Sequence, residues 1–233
     1  MFLLPSTTIA GNSSAYLPED IDNLINNSEC LKCNLTGADL KYYSDKKNLN
    51  DKIIDSSYFS YAQIGGISFN NLKMNNSNFV KVRASNLNLN DSTIDSCNFS
   101  HSDFIARFNS SIISNSDFSN SSSDEIVFYK SELKNVSFNN SALSKSDFSK
   151  STLSQVTFKN AIIKKGLFSK TNFNDVNISE AVFDYSNFFA SNMTLERLKD
   201  AKSFKCVILN DGTIYTNNGL YDCSRLNLIR KSK

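Results

Sequence analysis

The sequence predicts an all-β chain built from stacked five-residue repeats, and the spacing of its apolar residues is the first reason. From Leu49 to Met193 every fifth residue is large and apolar, with a single four-residue step. Of the thirty positions in this series, twenty-eight are Phe, Leu, Ile or Met, and only Ala84 and Ser123 differ. A period of five matches neither the 3.6 residues of a helical turn nor the two of a strand, so it indicates a repeat architecture.

A second, smaller residue accompanies each large one. Two residues before the large position the chain mostly has Ser, Ala, Thr or Gly, as in Ser116 before Phe118 and Ser186 before Phe188. Residues two apart in extended backbone point the same way, so each repeat sends one small and one large side chain inward. The two residues that follow are rich in Asn, Ser and Lys, which suit a corner. Each repeat is therefore predicted to be a short strand followed by a bend.

These repeats resemble a known family. Residues 102–104, 116–118 and 146–148 all read Ser-Asp-Phe, and residues 77–79 and 186–188 read Ser-Asn-Phe. Such segments are similar to the A(D/N)LXX signature of the pentapeptide-repeat family. The resemblance implies a right-handed, quadrilateral β-helix with four repeats in each coil.

A twenty-residue period in the sequence agrees with four repeats per coil. If coils stack, residues twenty apart form columns, and two opposite inward columns are rich in phenylalanine. One reads Phe59, Phe79, Phe99, Phe118, Phe138, Phe158 and Ile178; the other reads Leu49, Phe69, Leu89, Phe108, Phe128, Phe148, Phe168 and Phe188. The columns survive the four-residue step between Phe104 and Phe108 only if one residue is deleted at a corner. About seven coils, and a rod about 35 Å long, are expected.

The predicted organisation has three parts, beginning with a cap. Residues 1–29 form an N-terminal segment in which Pro18, the acids that follow it and the apolar residues at 21, 24 and 25 predict a short capping helix. Residues 30–193 form the β-helix. It is expected to be regular from about residue 54, because Lys47 and Lys52 fall at inward positions. Residues 194–233 form a C-terminal cap and a basic tail.

The C-terminal cap is predicted to contain a helix and a turn. Thr194 is a suitable N-cap for a helix over 195–201, with Glu196 in the first turn. Residues 210–213, Asn-Asp-Gly-Thr, predict a turn between the apolar stretches 207–209 and 214–215.

The apolar stretches of the sequence bear on the cellular location of the protein. No stretch approaches eighteen consecutive apolar residues, so no transmembrane segment is predicted. The apolar start Met1–Leu4 has no basic flank, which disfavours a secretory signal and makes a cytoplasmic location the expectation.

The five cysteines show no spacing typical of a disulfide framework. Cys30 and Cys33 form a CxxC, but no second Cys/His pair completes a zinc site, so both are predicted to be core residues. Cys97 is predicted to be core as well. Cys206 and Cys223 are the only remaining pair, and a bridge between them requires an oxidising compartment.

The residue types disfavour an enzyme. The single histidine, His101, is placed at a solvent-facing corner, and no paired carboxylates, nucleophile motif or phosphate-binding loop are found. We therefore expect no catalytic, metal or cofactor-binding residues.

Charge is distributed in bands along the predicted rod. Between Leu89 and Phe128 there are six acids and one arginine, whereas between Tyr129 and Lys170 there are eight lysines and two acids. The lysines at two corners stack in columns: Lys130, Lys150 and Lys170 in one, Lys145 and Lys165 in the next. Stacked like charges repel, so these five residues are the candidate contacts for an anionic partner. The alternative is that they are simply solvated and protect a β surface from aggregation.

Three functions are compatible with these features. The first is a non-catalytic binding or scaffold module that binds a protein partner or another partner with an anionic surface. The chain is then expected to be a monomer or a weak homodimer. The second follows from the resemblance: some pentapeptide-repeat proteins protect type II topoisomerases by imitating DNA. That role needs a strongly negative rod, whereas residues 50–193 hold thirteen acids and thirteen bases, and nucleic acid is likewise a disfavoured partner. The third is a secreted bacterial effector.

Overall fold

The chain folds into a rod of stacked four-sided coils, described by a computed structural model for residues 16–43, 49–216 and 223. Among these residues no helix has the length and apolar character needed to cross a membrane. The secondary structure is almost entirely short strands. In chain order these are β1 Glu29–Leu31, β2 Ile53–Asp55, β3 Gln63–Gly65, β4 Lys73–Asn75, β5 Arg83–Asn88, β6 Thr93–Asp95, β7 Asp103–Arg107, β8 Ile112–Ser114, β9 Ser122–Ser123, β10 Ile126–Val127, β11 Glu132–Lys134, β12 Ala142–Leu143, β13 Thr152–Ser154, β14 Asn172–Asn174, β15 Val207–Ile208 and β16 Ile214–Tyr215.

Parallel pairing between coils builds four faces, which we name A to D in the order the chain visits them. Face A is an eight-stranded parallel sheet in the order β1-β2-β4-β6-β8-β11-β13-β14. Face B is a column of single bridges from Asn34 to Asn177. Face C holds β3, β5, β7, β9 and β12, and face D holds β10 and the bridges that continue it through Asn187. The predicted quadrilateral β-helix is confirmed.

The predicted twenty-residue register is confirmed, including its one deletion. Ile54 pairs with Met74, and Leu133 pairs with Leu153, at a spacing of twenty. At the corner of Ile105 the register changes, because Ala84 pairs with Phe104 whereas Leu87 pairs with Ala106. One residue is missing there, so the columns stay aligned on both sides of the four-residue step.

Two phenylalanine ladders fill the interior, one behind face B and one behind face D. Successive rings of the first stack at centroid distances of 4.6 Å for Phe99–Phe118 and 5.1 Å for Phe118–Phe138. The second stacks in the same way, with 5.0 Å between Phe128 and Phe148. The two ladders meet edge to face, as at Phe118–Phe128, 5.9 Å apart with an interplanar angle of 89°. Both geometries are favourable for aromatic pairs, so the interior gains energy along the rod and across it.

The small inward residues are mostly serine because their hydroxyls complete the backbone. Ser102 Oγ donates to the carbonyl of Phe79 at 2.7 Å and accepts from Val82 N at 3.0 Å. Ser111 repeats the pattern, donating to Leu89 O at 2.9 Å. A buried corner peptide without a partner would be costly, and these hydroxyls remove that cost.

An N-terminal helix covers the first coil. Helix α1 spans Pro18–Asn26, with Pro at the start, Glu19 and Asp20 in the first turn, and Ile21 and Leu24 buried. Asp20 Oδ2 accepts a hydrogen bond from Asn34 N at 2.7 Å, which ties the helix to face B.

The first coil is longer than the others. Strand β1 pairs with β2 through Cys30 and Ile54, a separation of 24 residues, and a 3-10 helix spans Leu40–Tyr43. The chain therefore accommodates four extra residues before the regular array begins. Lys52 is buried at its inward position, and its Nζ donates to the carbonyl of Asn27. Lys47 lies outside the described residues.

The C-terminal cap has a shorter helix than predicted. Helix α2 spans Leu195–Leu198, and Thr194 Oγ1 accepts from Arg197 N at 3.4 Å. Beyond Leu198 the amide of Ala201 bonds three residues back, to Leu198 O, so the chain leaves the α-helical pattern as a turn. Strands β15 and β16 then pair antiparallel around the predicted turn, where Gly212 has a φ of +87°.

The cysteine prediction is partly wrong. Cys30 and Cys33 are buried, as expected, but they form a disulfide with a Cα–Cα distance of 5.6 Å. The bend at Lys32, with a φ of +57°, lets the two side chains meet inside the first coil. A second disulfide joins Cys206 to Cys223, and Cys97 is a free, buried thiol.

Because the ladders are buried, two phenylalanine-to-alanine substitutions should differ greatly in their effect on the free energy of unfolding. Phe138→Ala removes a fully buried ring that touches four others, and we expect a loss of about 3–5 kcal/mol in the free energy of unfolding. Phe189→Ala, at a residue 47% exposed, should cost under about 1.5 kcal/mol. Urea unfolding followed by circular dichroism measures both, and equal losses would argue against a ladder at Phe138.

Candidate functional site

The five candidate lysines lie on the two edges of one face. Lys145 and Lys165 stack at the corner between faces C and D, and Lys130, Lys150 and Lys170 stack at the corner between faces D and A. All five are exposed. Two parallel rows of ammonium groups therefore border face D, with a rise of about 4.8 Å from one coil to the next. We call these five residues and the face between them the lysine-edged face.

Every lysine in these rows has left-handed backbone. The φ values are 60° at Lys130, 57° at Lys145, 59° at Lys150, 61° at Lys165 and 59° at Lys170. The corner of nearly every repeat adopts this conformation, because a sharp bend must follow each three-residue strand. Asparagine and glycine tolerate it best, and other side chains there cost about 1–2 kcal/mol each. The sequence thus places lysine where asparagine would be more favourable.

Tyr129 organises one end of the rows. Lys150 Nζ donates to the Tyr129 hydroxyl at 2.5 Å and lies 4.9 Å from the centre of its ring. The ammonium of Lys130 is 5.5 Å from the same ring. The hydrogen bond from Lys150 lowers the pKa of Tyr129, and the nearby ammonium charges of Lys150 and Lys130 add to the effect. Sequence reasoning missed this residue, although an aromatic beside two stacked lysines is a visible signal.

The lysines have few acidic partners. Within the described part of the chain, Lys145 reaches Glu125 at 3.9 Å, and the other ion pair, Lys199 with Glu196, lies in the C-terminal cap. The centre of face D holds Val127, Asp147 and Leu167, which are half-buried. Asp147 Oδ1 accepts from Ser149 N at 2.8 Å, so that carboxylate is engaged with its own turn. The lysine-edged face therefore carries a net positive charge.

The acids of the preceding coils are spread over several faces. Asp103 lies on face C, Asp117 on face B and Asp91 at the corner before face A. Asp95, at the end of β6, accepts from Ser114 Oγ at 2.5 Å and from Asn115 Nδ2 at 2.7 Å. Those hydrogen bonds lower its pKa, so its carboxylate remains charged. The predicted axial banding of charge is present, but only the lysines concentrate on one face.

Two other residues singled out by sequence occupy the predicted environments. His101 is exposed at a corner, with a φ of 59°. Burial raises the pKa of the Cys97 thiol to about 12, so the thiolate is not populated near neutral pH.

Comparison with known proteins identifies the type of repeat. A family model described as pentapeptide repeats matches residues 131–165. The chain contains pentapeptide repeats. The matched stretch lies within the regular coils and contains Lys145, Lys150 and Lys165 of the lysine-edged face.

The solved structures to which this chain is similar include the following three. HetL, from the cyanobacterium Nostoc sp. strain PCC 7120 and involved in regulating heterocyst differentiation, is 13% identical, with a TM-score of 0.38 over 76% of this chain and 97% of HetL. Trypsin-treated QnrB1, a plasmid-mediated fluoroquinolone resistance protein, is 14% identical, with a TM-score of 0.45 over 76% of this chain and 91% of its own. A pentapeptide-repeat protein of the Arabidopsis thaliana thylakoid lumen is 20% identical, with a TM-score of 0.37 over 57% and 84% of the two chains. A search of curated protein sequences finds no match.

The contact between Lys150 and Tyr129 predicts a pKa change. Lys150→Met removes both the donated hydrogen bond and the nearest positive charge, so the pKa of Tyr129 should rise. Carbon NMR of tyrosine ring carbons during a pH titration measures it. Lys81→Met, which removes the equivalent lysine from exposed Tyr61, is the control and should leave the titration of Tyr129 unchanged.

The left-handed corners predict that the protein gains stability when a lysine is replaced at one of them. Lys165→Asn replaces a side chain that is strained at a φ of 61° by one that tolerates it, and it removes a stacked charge. We expect the free energy of unfolding to rise by roughly 0.5–1 kcal/mol. Lys159→Asn, at a position without left-handed φ, is the matched control in the same urea experiment. A loss of stability at residue 165 would contradict the strain argument.

Proposed function

We propose that this protein is a non-catalytic binding module whose lysine-edged face holds an acidic surface of a partner protein. The observation that carries the proposal is the placement of five lysines on both edges of one face. Each lies at a left-handed corner that disfavours lysine, and each row stacks like charges one coil apart. The backbone strain thus occurs at five corners and the like-charge stacking in three adjacent pairs, which favours a use for the charges.

The geometry suits a protein surface. The face is a flat column of parallel bridges with half-buried Val127 and Leu167 between the rows. An acidic partner could place carboxylates on both edges while its apolar atoms cover the centre. Charged edges of this kind raise association rates and favour partners whose surface carries the opposite charge. Tyr129, held between two lysines, adds a rigid aromatic contact at the rim.

Imitation of DNA is the weaker candidate. It requires a rod that is negative along its length, whereas residues 50–193 contain thirteen acids and thirteen bases. The basic coils would repel a protein that normally binds DNA. A supercoiling assay with a type II topoisomerase, showing neither inhibition nor protection, is the expected result.

The disulfides bear on where such binding takes place. Bonds such as Cys30–Cys33 and Cys206–Cys223 persist in oxidising compartments and are rare in the cytosol. They favour an oxidising compartment over the cytoplasmic location expected from the sequence, which is compatible with a secreted protein.

A charge-reversal pair tests the proposed function. Lys145→Glu with Lys165→Glu reverses one edge of the lysine-edged face, and the matched control is Lys159→Glu with Lys202→Glu, which changes net charge equally on other surfaces. The immobilised chain should capture an acidic protein from its native cell, and poly-glutamate should compete. We expect the edge variant to weaken capture at least about tenfold, with little effect of the control pair.

Equal loss in both pairs would show that net charge alone attracts the captured protein. Equal retention in both would show that the rows of lysine are merely solvated. Either result would refute the proposal.

A further inference from the structure

Face A has opposite charge in its two halves. Over the seven coils from β2 to β14, the corner column that borders it reads Asp51, Asn71, Asp91, Ser110, Lys130, Lys150 and Lys170. All seven residues have φ between 55° and 61°, so their side chains leave the rod in the same direction. Ser110 stands in the middle, with acids among the three coils before it and lysines in the three after it.

This order is self-complementary under a twofold axis. The axis lies in the plane of contact between the two copies and crosses both rods at right angles, at the level of Ser110. Each coil of one copy then lies opposite a coil of the second copy. The two coils are equally far from Ser110 along their own chains, one before it and one after it. Asp91 then faces Lys130 of the second copy, and Asp51 faces its Lys170. The pairing follows from the one-coil spacing that the face A register establishes.

The column on the far side of the strands obeys the same symmetry. It reads Asp55, Asn75, Asp95, Ser114, Lys134, Ser154 and Asn174. Under the same axis Asp95 faces Lys134 of the second copy. The hydrogen bonds to Asp95 that lower its pKa also hold its carboxylate in place.

Among the described residues of the seven coils from 51 to 175, no like charges face each other across this axis. At the strand centres Lys73 faces Thr152 and Glu132 faces Thr93, while Asp175 at the next corner faces Ser56. On the axis itself lies Ile112, which is 51% exposed and would pack against its own copy. Three opposite-charge pairs, doubled by the symmetry, therefore surround one apolar contact.

We propose that face A is a self-association surface through which two copies of this chain pair side by side and antiparallel. The pairs are exposed except at half-buried Asp95, so the dimer is weak and depends on ionic strength. The inference shares only the row Lys130, Lys150 and Lys170 with the proposed function, because Lys145 and Lys165 lie across face D from face A. A polyanion on the lysine-edged face therefore competes with the dimer for the shared row.

Complementary charge reversals test the dimer. One variant carries Asp51→Lys and Asp91→Lys, and the other carries Lys130→Asp and Lys170→Asp; all four changes are at exposed corners. Sedimentation velocity at about 0.05 M salt, where the Debye length is roughly 14 Å, compares each variant alone with an equimolar mixture. We expect the wild type to dimerise, each variant alone to associate at least about tenfold more weakly, and the mixture to recover dimers because each reversed set meets its opposite.

A wild-type chain that stays monomeric at low salt would overturn the proposal. So would a mixture that stays monomeric, or a dimer that survives both reversals, since it would use another surface. Circular dichroism of each variant shows whether it is folded, and recovery in the mixture itself requires folded chains.

A single substitution at the axis gives an independent test. Ile112→Lys places two ammonium groups against each other in the dimer, whereas Ile162→Lys, at a residue 44% exposed on face C, adds the same charge away from it. The first change should abolish dimers at low salt and the second should leave them. Asp51→Lys with Asp91→Lys leaves every lysine in place, so partner capture by that variant should persist even where the dimer is lost. Failure of the dimer is thereby distinguished from failure of the proposed binding function.

Discussion

The structure depends on the inward pair of side chains in each repeat, one small and hydrogen-bonded, one large and apolar. The small residue closes the corner, as Ser102 does between the carbonyl of Phe79 and the amide of Val82. The large residue stacks on its equivalents in the coils above and below, as Phe138 does between Phe118 and Phe158 at 5.1 and 5.2 Å. Because each coil buries its apolar side only against its neighbours, stability is shared along the rod and no coil is stable alone.

That interior leaves the outer surface free to vary, and the surface is where function is expected. Nearly every corner has left-handed backbone, which asparagine tolerates better than lysine does, so Lys130, Lys150 and Lys170 lower the local stability of the rod. The same column serves two neighbouring faces. On the side of face D it forms one edge of the proposed partner site, and on the side of face A it completes a pattern that matches a second copy. A rod with few constraints on its exterior can therefore hold two interaction surfaces within a few coils.

The sequence predicted the parts of the fold that repeat. The columns headed by Phe59 and Leu49, and the single deletion near Ile105, follow from periodicity alone, since an inward position tolerates few residue types. The corner positions of the five lysines were predicted for the same reason. Their placement on the two edges of face D was not worked out from the sequence, because that step requires following the chain around the coil.

The parts that do not repeat were harder to predict. The first coil has 24 residues between Cys30 and Ile54 instead of 20, so its inward positions do not continue the five-residue spacing of the later coils. The Cys30–Cys33 bond depends on the bend at Lys32, which sequence spacing does not reveal. The contact of Tyr129 with Lys150 joins adjacent coils, so it becomes visible only when the register is applied to side chains that point outward.

Distances between spin labels on face B test the stacking of coils most directly. With Cys97→Ser as background, a label at Asn177 paired in turn with labels at Tyr58, Asn78 and Asn98 spans six, five and four coils. Electron–electron double resonance should give backbone separations of about 29, 24 and 19 Å, a decrease of about 4.8 Å for each coil removed. Separations that do not fall in equal steps would contradict a rod of coils stacked at a twenty-residue period.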